Sequence, residues 1–159
     1  MVSTSRVAEI LSTIGTEFTL VDVSLKLGVS QATAKRYINE LLRSGFITAR
    51  NGKYTVTEKG LLLLEITRIK DISASSDQAY VFTDEKGTPL VLRVDSISKL
   101  YIVVKYGLVP ENVLKHHLEK GYLSKWILEV LGAKILAEKI NSVKSVGELL
   151  ALLEQYLAA

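Results

Sequence analysis

The fold is decided by residues 19–56, TLVDVSLKLGVSQATAKRYINELLRSGFITARNGKYTV. Thr19 stands three residues before Asp22, which is a variant of the capping-box spacing and predicts that a helix begins between them. That helix is expected to run over residues 20–27. It ends at Gly28, because glycine tolerates the positive φ of a helix C′ position.

A second helix is predicted from residue 31 to about residue 44. Ser30 is a strong N-cap for it, and Gly45 closes it. Only three residues separate the two helices, a turn length that holds helices at a steep angle. One face of the second helix is apolar at helical spacing, which indicates that this face is buried. The apolar positions are Ala34, Tyr37, Ile38, Leu41 and Leu42.

A hairpin is predicted directly after the second helix. Residues 46–50 and 53–56 flank Asn51-Gly52, which is the strongest two-residue hairpin signal because both turn residues take positive φ. A helix, a tight turn, a capped helix and a hairpin in this order are typical of a winged helix-turn-helix, in which the second helix enters the major groove of DNA.

The flanking segments complete this unit. An amphipathic helix is expected before Gly15, followed by a very short strand at residues 17–19. Thr57 is expected to cap a further helix over residues 58–69. The apolar residues of that last helix cover more than one face, so it should be buried on two sides or form a dimer contact.

The C-terminal half follows a serine-rich, acidic segment, DISASSDQ at residues 71–78, that is typical of a linker. Two short strands are predicted around residues 84–87, and helices follow. Asp95 or Ser96 is expected to cap the first of these helices, Pro110 to occupy the first helical position of another, and a further helix to run over residues 122–131. The fold class is therefore mainly α with small β-hairpins. The predicted organisation is a winged helix-turn-helix at 1–70, a linker at 71–78, and a β-hairpin with helices at 79–159 that serves dimerisation, partner binding or effector sensing.

The segment from Ser30 to Ile47, SQATAKRYINELLRSGFI, resembles the recognition-helix signature of winged-helix transcription regulators of the MarR, ArsR and Lrp-like groups. The shared features are a serine cap, an early threonine, a mid-helix arginine, a leucine, and a glycine followed by two apolar residues. The resemblance covers residues 4–70 and implies binding to double-stranded DNA. The cysteine-containing metal box of the ArsR group is absent.

Composition and charge agree with a globular DNA-binding protein. Hydrophobic residues make up 48% of the 159 residues, and there is no cysteine, so disulfides, thiol nucleophiles and thiolate metal sites are excluded. Residues 1–70 carry ten Lys/Arg against six Asp/Glu, a charge of +4, whereas residues 71–159 carry ten against eleven. The Lys-, Ile- and Leu-rich composition looks archaeal. With neither a signal sequence nor a membrane span in the pattern, we expect a cytoplasmic protein.

Nine polar residues are candidates for contacts to double-stranded DNA. The first two would face base edges, the next two phosphate or guanine, and the following two the DNA backbone. The last three, at the hairpin, would contact the neighbouring minor groove or its phosphates. In chain order the candidates are Gln31, Thr33, Lys35, Arg36, Asn39, Arg43, Arg50, Asn51 and Lys53.

Other chemistry has weaker support. His116 and His117 point about 100° apart on a helix, so they do not chelate one metal and are expected to be structural. Trp126 is expected to pack in a core, with a ligand pocket as the alternative. Motifs for a nucleophile elbow or a phosphate-binding loop are absent, so the sequence predicts neither an enzyme nor a cofactor.

The sequence therefore predicts a transcriptional regulator that binds double-stranded DNA. One unit of this size contacts few phosphates, so we expect a homodimer. The apolar helix at residues 146–157 either covers the C-terminal domain or pairs with a partner, and a share in the dimer interface is favoured. The alternative function is a winged-helix adaptor within a replication or transcription assembly, in which the winged domain docks onto another protein or the apolar C-terminal helices form the main contact surface.

Overall fold

The computed structural model describes residues 3–158, which form two compact units that divide between Thr67 and Arg68. The predicted end of the first domain at residue 70 and the predicted start of the second at residue 79 stay predictions. The segment between them is held within the second unit by hydrogen bonds. The Ala74 N–H donates to the Asp95 carbonyl at 2.7 Å, and the Trp126 indole N–H donates to the Gln78 carbonyl at 2.7 Å.

The N-terminal unit contains helices and a three-stranded antiparallel sheet in the order β1-β3-β2. Ile47 pairs with Val56, and Arg50 pairs with Lys53. The mainly α fold with small hairpins is confirmed, and so is the predicted order of elements. In chain order they are α1 (Thr4–Ile14), β1 (Glu17–Phe18), α2 (Leu20–Leu27), α3 (Gln31–Arg43), β2 (Ile47–Arg50), β3 (Lys53–Val56) and α4 (Glu58–Ile69).

Local side-chain chemistry sets the ends of these helices. Both bonds of the capping box form at α2: the Asp22 N–H donates to the Thr19 hydroxyl at 3.3 Å, and the Thr19 N–H donates to the Asp22 carboxylate at 2.9 Å. These bonds lower the pKa of Asp22. Gly28 ends α2 in the left-handed conformation, with φ 65° and ψ 35°.

The core of the N-terminal unit is built from apolar side chains of the helices, closed at one edge by the sheet. Ala34, Ile38 and Leu41 of α3 belong to this core, and Leu63 of α4 joins it. Tyr37 and Leu42 of the predicted stripe are only partly buried and pack against the core.

The start of α4 lies unusually close to the base of the hairpin. A Cβ atom added at Gly60 would lie 2.6 Å from the Phe46 carbonyl oxygen and 2.6 Å from the Val56 Cγ1. Non-bonded atoms do not approach to that distance without movement of the backbone. Gly60 is therefore the residue that permits α4 to pack against the hairpin.

The second unit combines the end of α4 with a two-stranded antiparallel sheet and helices. The sheet pairs Tyr80 with Val94 and has an irregularity between Val81 and Thr83. The hydroxyl of Ser96 caps α5, and Ser96 is one of the two residues predicted as the cap of this helix. The elements are β4 (Tyr80–Thr83), β5 (Pro89–Val94), α5 (Ile97–Lys105), α6 (Glu111–Glu119), α7 (Tyr122–Glu129), α8 (Lys134–Asn141) and α9 (Val146–Ala158).

Two sequence-based boundaries in this unit were wrong by one or two residues. Pro110 is the N-cap of α6 rather than its first helical residue, because its ψ of 139° is extended. Its carbonyl accepts from the N–H groups of Val113 and Leu114. Helix α7 ends at Glu129, before Leu131, and Gly132 then takes a φ of 68°.

Helix α9 covers the second unit. Leu149, Leu153 and Tyr156 are buried on one face, and the helix packs on α5, α6 and α8. Its remaining leucines are half-buried. Of the two roles expected for this helix, the structure assigns it to the domain core, while a share in a dimer interface stays a prediction.

His117 is a buried structural histidine, 2% exposed. Its Nε2 lies 3.0 Å from the Thr83 amide nitrogen and 3.1 Å from the Thr83 carbonyl oxygen, and its Nδ1 shares a hydrogen bond with the Tyr80 hydroxyl. The Tyr80 ring in turn packs on Trp126, with the ring centroids 5.5 Å apart. The expected core packing of Trp126 is confirmed. His116, by contrast, is exposed.

Replacing Gly60 by alanine should destabilise the protein. The new Cβ would meet a backbone carbonyl, and overpacking costs about 1–3 kcal/mol, more than the roughly 1 kcal/mol that alanine gains over glycine in a helix. The matched control is Gly147→Ala in α9, where the nearest atom would be 3.9 Å away. Urea unfolding should show a loss for Gly60→Ala and no loss for Gly147→Ala. Equal stability of both variants would contradict the close approach.

Acidification should destabilise the second unit through His117. Burial lowers the pKa of His117 from its usual value of 6.5, so the folded state binds a proton less readily than the unfolded chain. Stability is therefore greatest above the unfolded pKa and falls as the pH decreases below about 6.5. The Tm, followed by Trp126 fluorescence, should drop between pH 7 and pH 5.

His117→Gln should flatten this dependence of the Tm on pH, because the replacement does not titrate. His116→Gln is the control for the exposed neighbour and should retain the wild-type slope. A flat wild-type profile, or a His117→Gln profile as steep as the wild type, would show that the buried imidazole is not the titrating group.

Candidate nucleic-acid interface

Helix α3 is held in one orientation by its cap and by its buried face. The Ser30 hydroxyl accepts from the Thr33 N–H at 3.1 Å. The preceding turn is closed by the Ser24 hydroxyl, which donates to the Val29 carbonyl at 2.6 Å. Ala34, Ile38 and Leu41 are buried at 0–3% exposure. Because this face of α3 is buried, the opposite face of the helix points to solvent.

Five of the six candidate residues on α3 lie exposed on the face opposite this core. The exception is Thr33, which is half-buried. Its hydroxyl accepts from the Ser30 hydroxyl at 3.0 Å, so it takes part in the N-cap as well as facing outward. The exposed candidates on the helix are Gln31, Lys35, Arg36, Asn39 and Arg43.

Tyr37 lies between two arginines at the side of this face. The guanidinium carbon of Arg36 is 5.5 Å from the Tyr37 ring centroid, and that of Arg6, on α1, is 5.8 Å from it. Both distances are within the range of a cation–π interaction. The hydrogen bond with Arg6 lowers the pKa of Tyr37. The Tyr37 ring thus restrains the stem of Arg36 and adds Arg6 to the positive rim.

The three hairpin candidates meet at the tip of β2 and β3. Asn51 and Gly52 have φ values of 51° and 76°, the two positive values that the predicted hairpin turn requires. Arg50 and Lys53 are direct cross-strand partners. Like charges placed opposite each other repel, and an anion bound between them relieves that repulsion.

Glu17 on the neighbouring strand β1 partly offsets this charge. Its carboxylate lies 3.5 Å from the Lys53 ammonium, and both side chains are more than 60% exposed. An ion pair this exposed is weak and exchanges easily for another anion. Lys53 is therefore available to a phosphate even though it has a partner in the free protein.

Hydrogen bonds from α4 fix the end of α3 and the start of the hairpin. The Thr57 hydroxyl donates to the Gly45 carbonyl at 2.6 Å, and the Lys59 ammonium donates to the Ser44 carbonyl at 2.7 Å. The same ammonium lies 4.7 Å from the Phe46 ring centroid. These contacts join the candidate helix and the candidate hairpin into one rigid surface.

Arg6 and Lys59 were missed as members of this surface by the sequence analysis. Each lies on a helix outside the helix-turn-helix segment, and long-range packing brings them beside α3. For Arg6 a signal was present, since it immediately precedes the apolar stripe of α1. For Lys59 no local sequence pattern distinguishes a lysine that donates a hydrogen bond to a backbone carbonyl from an ordinary surface lysine.

Between residues 3 and 158, no group of three or more His, Asp or Glu side chains is arranged to hold a metal ion. In the same range, none of the helices combines the length and the apolarity that a bilayer crossing requires.

The N-terminal unit is similar to a known protein family. Residues 4–74 match the model of the winged helix-turn-helix family. The N-terminal unit has the winged helix-turn-helix fold. By position, α2 and α3 correspond to the helix-turn-helix, α3 to the helix that is termed the recognition helix in that fold, and β2 and β3 to the wing. The finer assignment to the MarR, ArsR or Lrp-like groups is not part of this match.

Several solved structures contain similar chains. Sso10a-2, a DNA-binding protein from Sulfolobus solfataricus, is 25% identical, with 40% of this chain and 72% of that chain covered and a TM-score of 0.34. A proposed transcriptional regulator of Rhodococcus sp. RHA1 is 15% identical, with coverages of 76% and 62% and a TM-score of 0.33.

Another is a proposed ICLR transcriptional regulator of Silicibacter sp. TM1040. It is 14% identical, with 74% of this chain and 60% of that chain covered and a TM-score of 0.33. The chain thus spans less than two thirds of the length of the Rhodococcus and Silicibacter proteins. No similar sequence was found among curated proteins.

The serine cap of the recognition helix can be tested by stability measurements. Ser30→Ala removes the bond to the Thr33 N–H and should cost about 1 kcal/mol in the free energy of unfolding. Ser30→Asp is the matched control, because aspartate caps equally well and favours a helix N-terminus. In urea unfolding, Ser30→Asp should retain the wild-type stability. A comparable loss in both variants would show that the hydroxyl does not act as a cap.

Proposed function

We propose that the chain is a transcriptional regulator that binds double-stranded DNA, with α3 in the major groove and the wing against the adjacent minor groove or its phosphates. The observation that supports this most directly is the division of α3 into two faces. One face is buried, and the other presents Lys35, Arg36 and Arg43 to solvent beside polar Gln31 and Asn39.

The dimensions and residue types of this face suit DNA. A 13-residue helix is about 20 Å long, and the major groove, about 12 Å wide, admits it. Gln31, in the first turn, is suited to bidentate contact with adenine, and Arg36 to guanine or phosphate. Thr33, which is half-buried, would contact the DNA through its hydroxyl.

The remaining candidates are assigned to the DNA backbone. Asn39 and Arg43 lie one and two turns beyond Lys35 and would follow the phosphates along the groove. Arg50, Asn51 and Lys53 would bring the wing tip to the flanking DNA, where a phosphate relieves the repulsion between Arg50 and Lys53. Arg6, held at the Tyr37 ring, extends the same positive rim.

A homodimer is part of the proposal. Each copy of the chain offers only about five or six cationic side chains to the DNA, so binding by one copy would be weak at physiological salt. Two copies would double the phosphate contacts and read two half-sites about one helical turn apart. The chain would act without catalysis and without a required cofactor.

The test is the affinity for duplex DNA at several salt concentrations, measured by fluorescence anisotropy. Lys35→Ala with Arg36→Ala should weaken binding to all sequences. If each side chain neutralises one phosphate, the slope of log K against log salt should fall by about 1.8 per chain. Arg36→Lys should separate charge from bidentate readout, since lysine keeps only the charge.

The matched control is Lys125→Ala with Lys134→Ala, which removes the same charge from exposed positions of the second unit. It should leave the slope near the wild-type value. A Lys35/Arg36 variant with unchanged affinity and slope would show that α3 is not the DNA contact. An absence of salt-dependent DNA binding by the wild type would favour the adaptor alternative, with a protein partner docked through the C-terminal helices.

A further inference from the structure

An open groove of about 410 Å³ lies between α7 and α8 in the second unit. Lys125 lines it from α7 and Lys134 from α8, and Glu138 adds a carboxylate. These three side chains carry a formal charge of +1. Both lysines are exposed, so this α7–α8 groove presents cations from two walls to a partner in solution.

A buried hydrogen bond orients an amide group in the α7–α8 groove. The Ser124 side chain belongs to a residue that is only 6% exposed, and its hydroxyl donates to the Asn141 Oδ1 at 2.7 Å. Because the oxygen of this amide faces Ser124, its two N–H donors point away from Ser124. Amide N–H groups and lysine ammonium groups are the donors that proteins use to bind phosphate oxygens of nucleic acids.

Two exposed aromatic rings lie next to the end of the groove that Gly121 lines. Tyr122 follows Gly121 directly and stands three residues before Lys125, so Tyr122 and Lys125 are neighbours on the surface of α7. Tyr122 is 49% exposed, and its ring centroid is 6.3 Å from that of the exposed His116. The buried ring of His117, with its centroid 5.6 Å from that of Tyr122, restrains the tyrosine.

Exposed rings beside lysines are suited to an unpaired strand of nucleic acid. Its bases stack on the rings, and its phosphates pair with the ammonium groups. In a duplex both faces of each base are covered by neighbouring bases, so the rings favour a single strand over a duplex. Lys120, which is exposed and lies between His116 and Tyr122 in the sequence, adds a third cation.

We propose that the second unit binds single-stranded nucleic acid, with bases stacked on His116 and Tyr122 and phosphates at Lys120, Lys125 and Lys134. This surface shares no residue with the duplex contact assigned to the first unit, so the proposal does not rest on the proposed function. Three phosphate contacts are few, and binding should therefore be weak and strongly dependent on salt.

The test uses fluorescence anisotropy of a labelled oligothymidylate of about 12 nucleotides, titrated with the full chain at several salt concentrations. The wild type should bind, with an affinity that falls as the salt concentration rises. Tyr122→Ala should weaken binding by about fivefold or more, because the stacking of one base is lost. Tyr122→Phe keeps the ring and should bind as the wild type does. The matched control is Tyr106→Ala, which removes a tyrosine that is 66% exposed at the end of α5 and should leave the affinity unchanged.

Charge variants test the phosphate contacts independently of the rings. Lys125→Ala with Lys134→Ala should lower the slope of log K against log salt for the oligothymidylate by about 1.4, since each contact to a single strand contributes about 0.7. The same variant should keep the wild-type slope for duplex DNA. Lys35→Ala with Arg36→Ala is the matched control and should bind the oligothymidylate as the wild type does.

His116→Ala tests stacking at an exposed position where a smaller side chain has little effect on folding. It should weaken binding of the oligothymidylate in the same direction as Tyr122→Ala. The stacking part of the proposal can therefore be tested even if Tyr122→Ala is unstable, because Tyr122 packs on the buried His117.

The proposal would be overturned if the wild type showed no salt-dependent binding of the oligothymidylate, or if Tyr122→Ala and His116→Ala both bound it as the wild type does. A loss in the Lys35/Arg36 variant as large as that in the Lys125/Lys134 variant would place the strand on α3 instead. Binding of the oligothymidylate without binding of duplex DNA would count against the proposed function and leave this surface standing. Binding of duplex DNA alone would do the reverse.

Discussion

The burial of one face of α3 is the interaction on which the rest of the N-terminal unit depends. Ala34 is small enough to let α2 approach, and Ile38 and Leu41 then fill the space between the helices. Because the helix has 3.6 residues per turn, burial of these positions forces the intervening ones into solvent. The direction of every polar candidate on α3 is therefore a consequence of core packing rather than of any polar contact.

The end of α3 depends on a different kind of contact. The carbonyls of Ser44 and Gly45, directly after α3, accept hydrogen bonds from Lys59 in the first turn of α4 and from Thr57, the residue before it. Gly60 makes that arrangement possible, since any side chain there would displace the carbonyl of Phe46. The recognition helix, the wing and α4 are thus joined at one small junction.

The N-terminal unit was predictable because its signals are local. The caps at Thr19 and Ser30, the turn at Gly28 and the Asn51-Gly52 hairpin each involve residues within four positions of one another, and each is confirmed. The helix boundaries around Pro110 and Leu131 were less accurate, because a residue at a helix end has two nearly equivalent conformations and tertiary packing chooses between them.

The contacts that shape the candidate site were less accessible to sequence reasoning. Arg6 and Tyr37 are 31 positions apart in the numbering, and Tyr80 and His117 are 37 apart. Periodicity places such residues on a face but does not say which faces meet. The buried histidine shows this clearly: the pattern identified it as structural, whereas its contacts with Tyr80 and Thr83 depend on long-range packing.

The opposed cations at the wing tip make the hairpin sensitive to ionic strength before any partner is bound. Added salt screens the repulsion between Arg50 and Lys53 and so favours the closed turn. The same salt weakens the attraction of both residues for a polyanion. Free and bound states of the wing therefore respond to salt in opposite senses, and part of any measured salt dependence of association reports a change in the unbound hairpin itself.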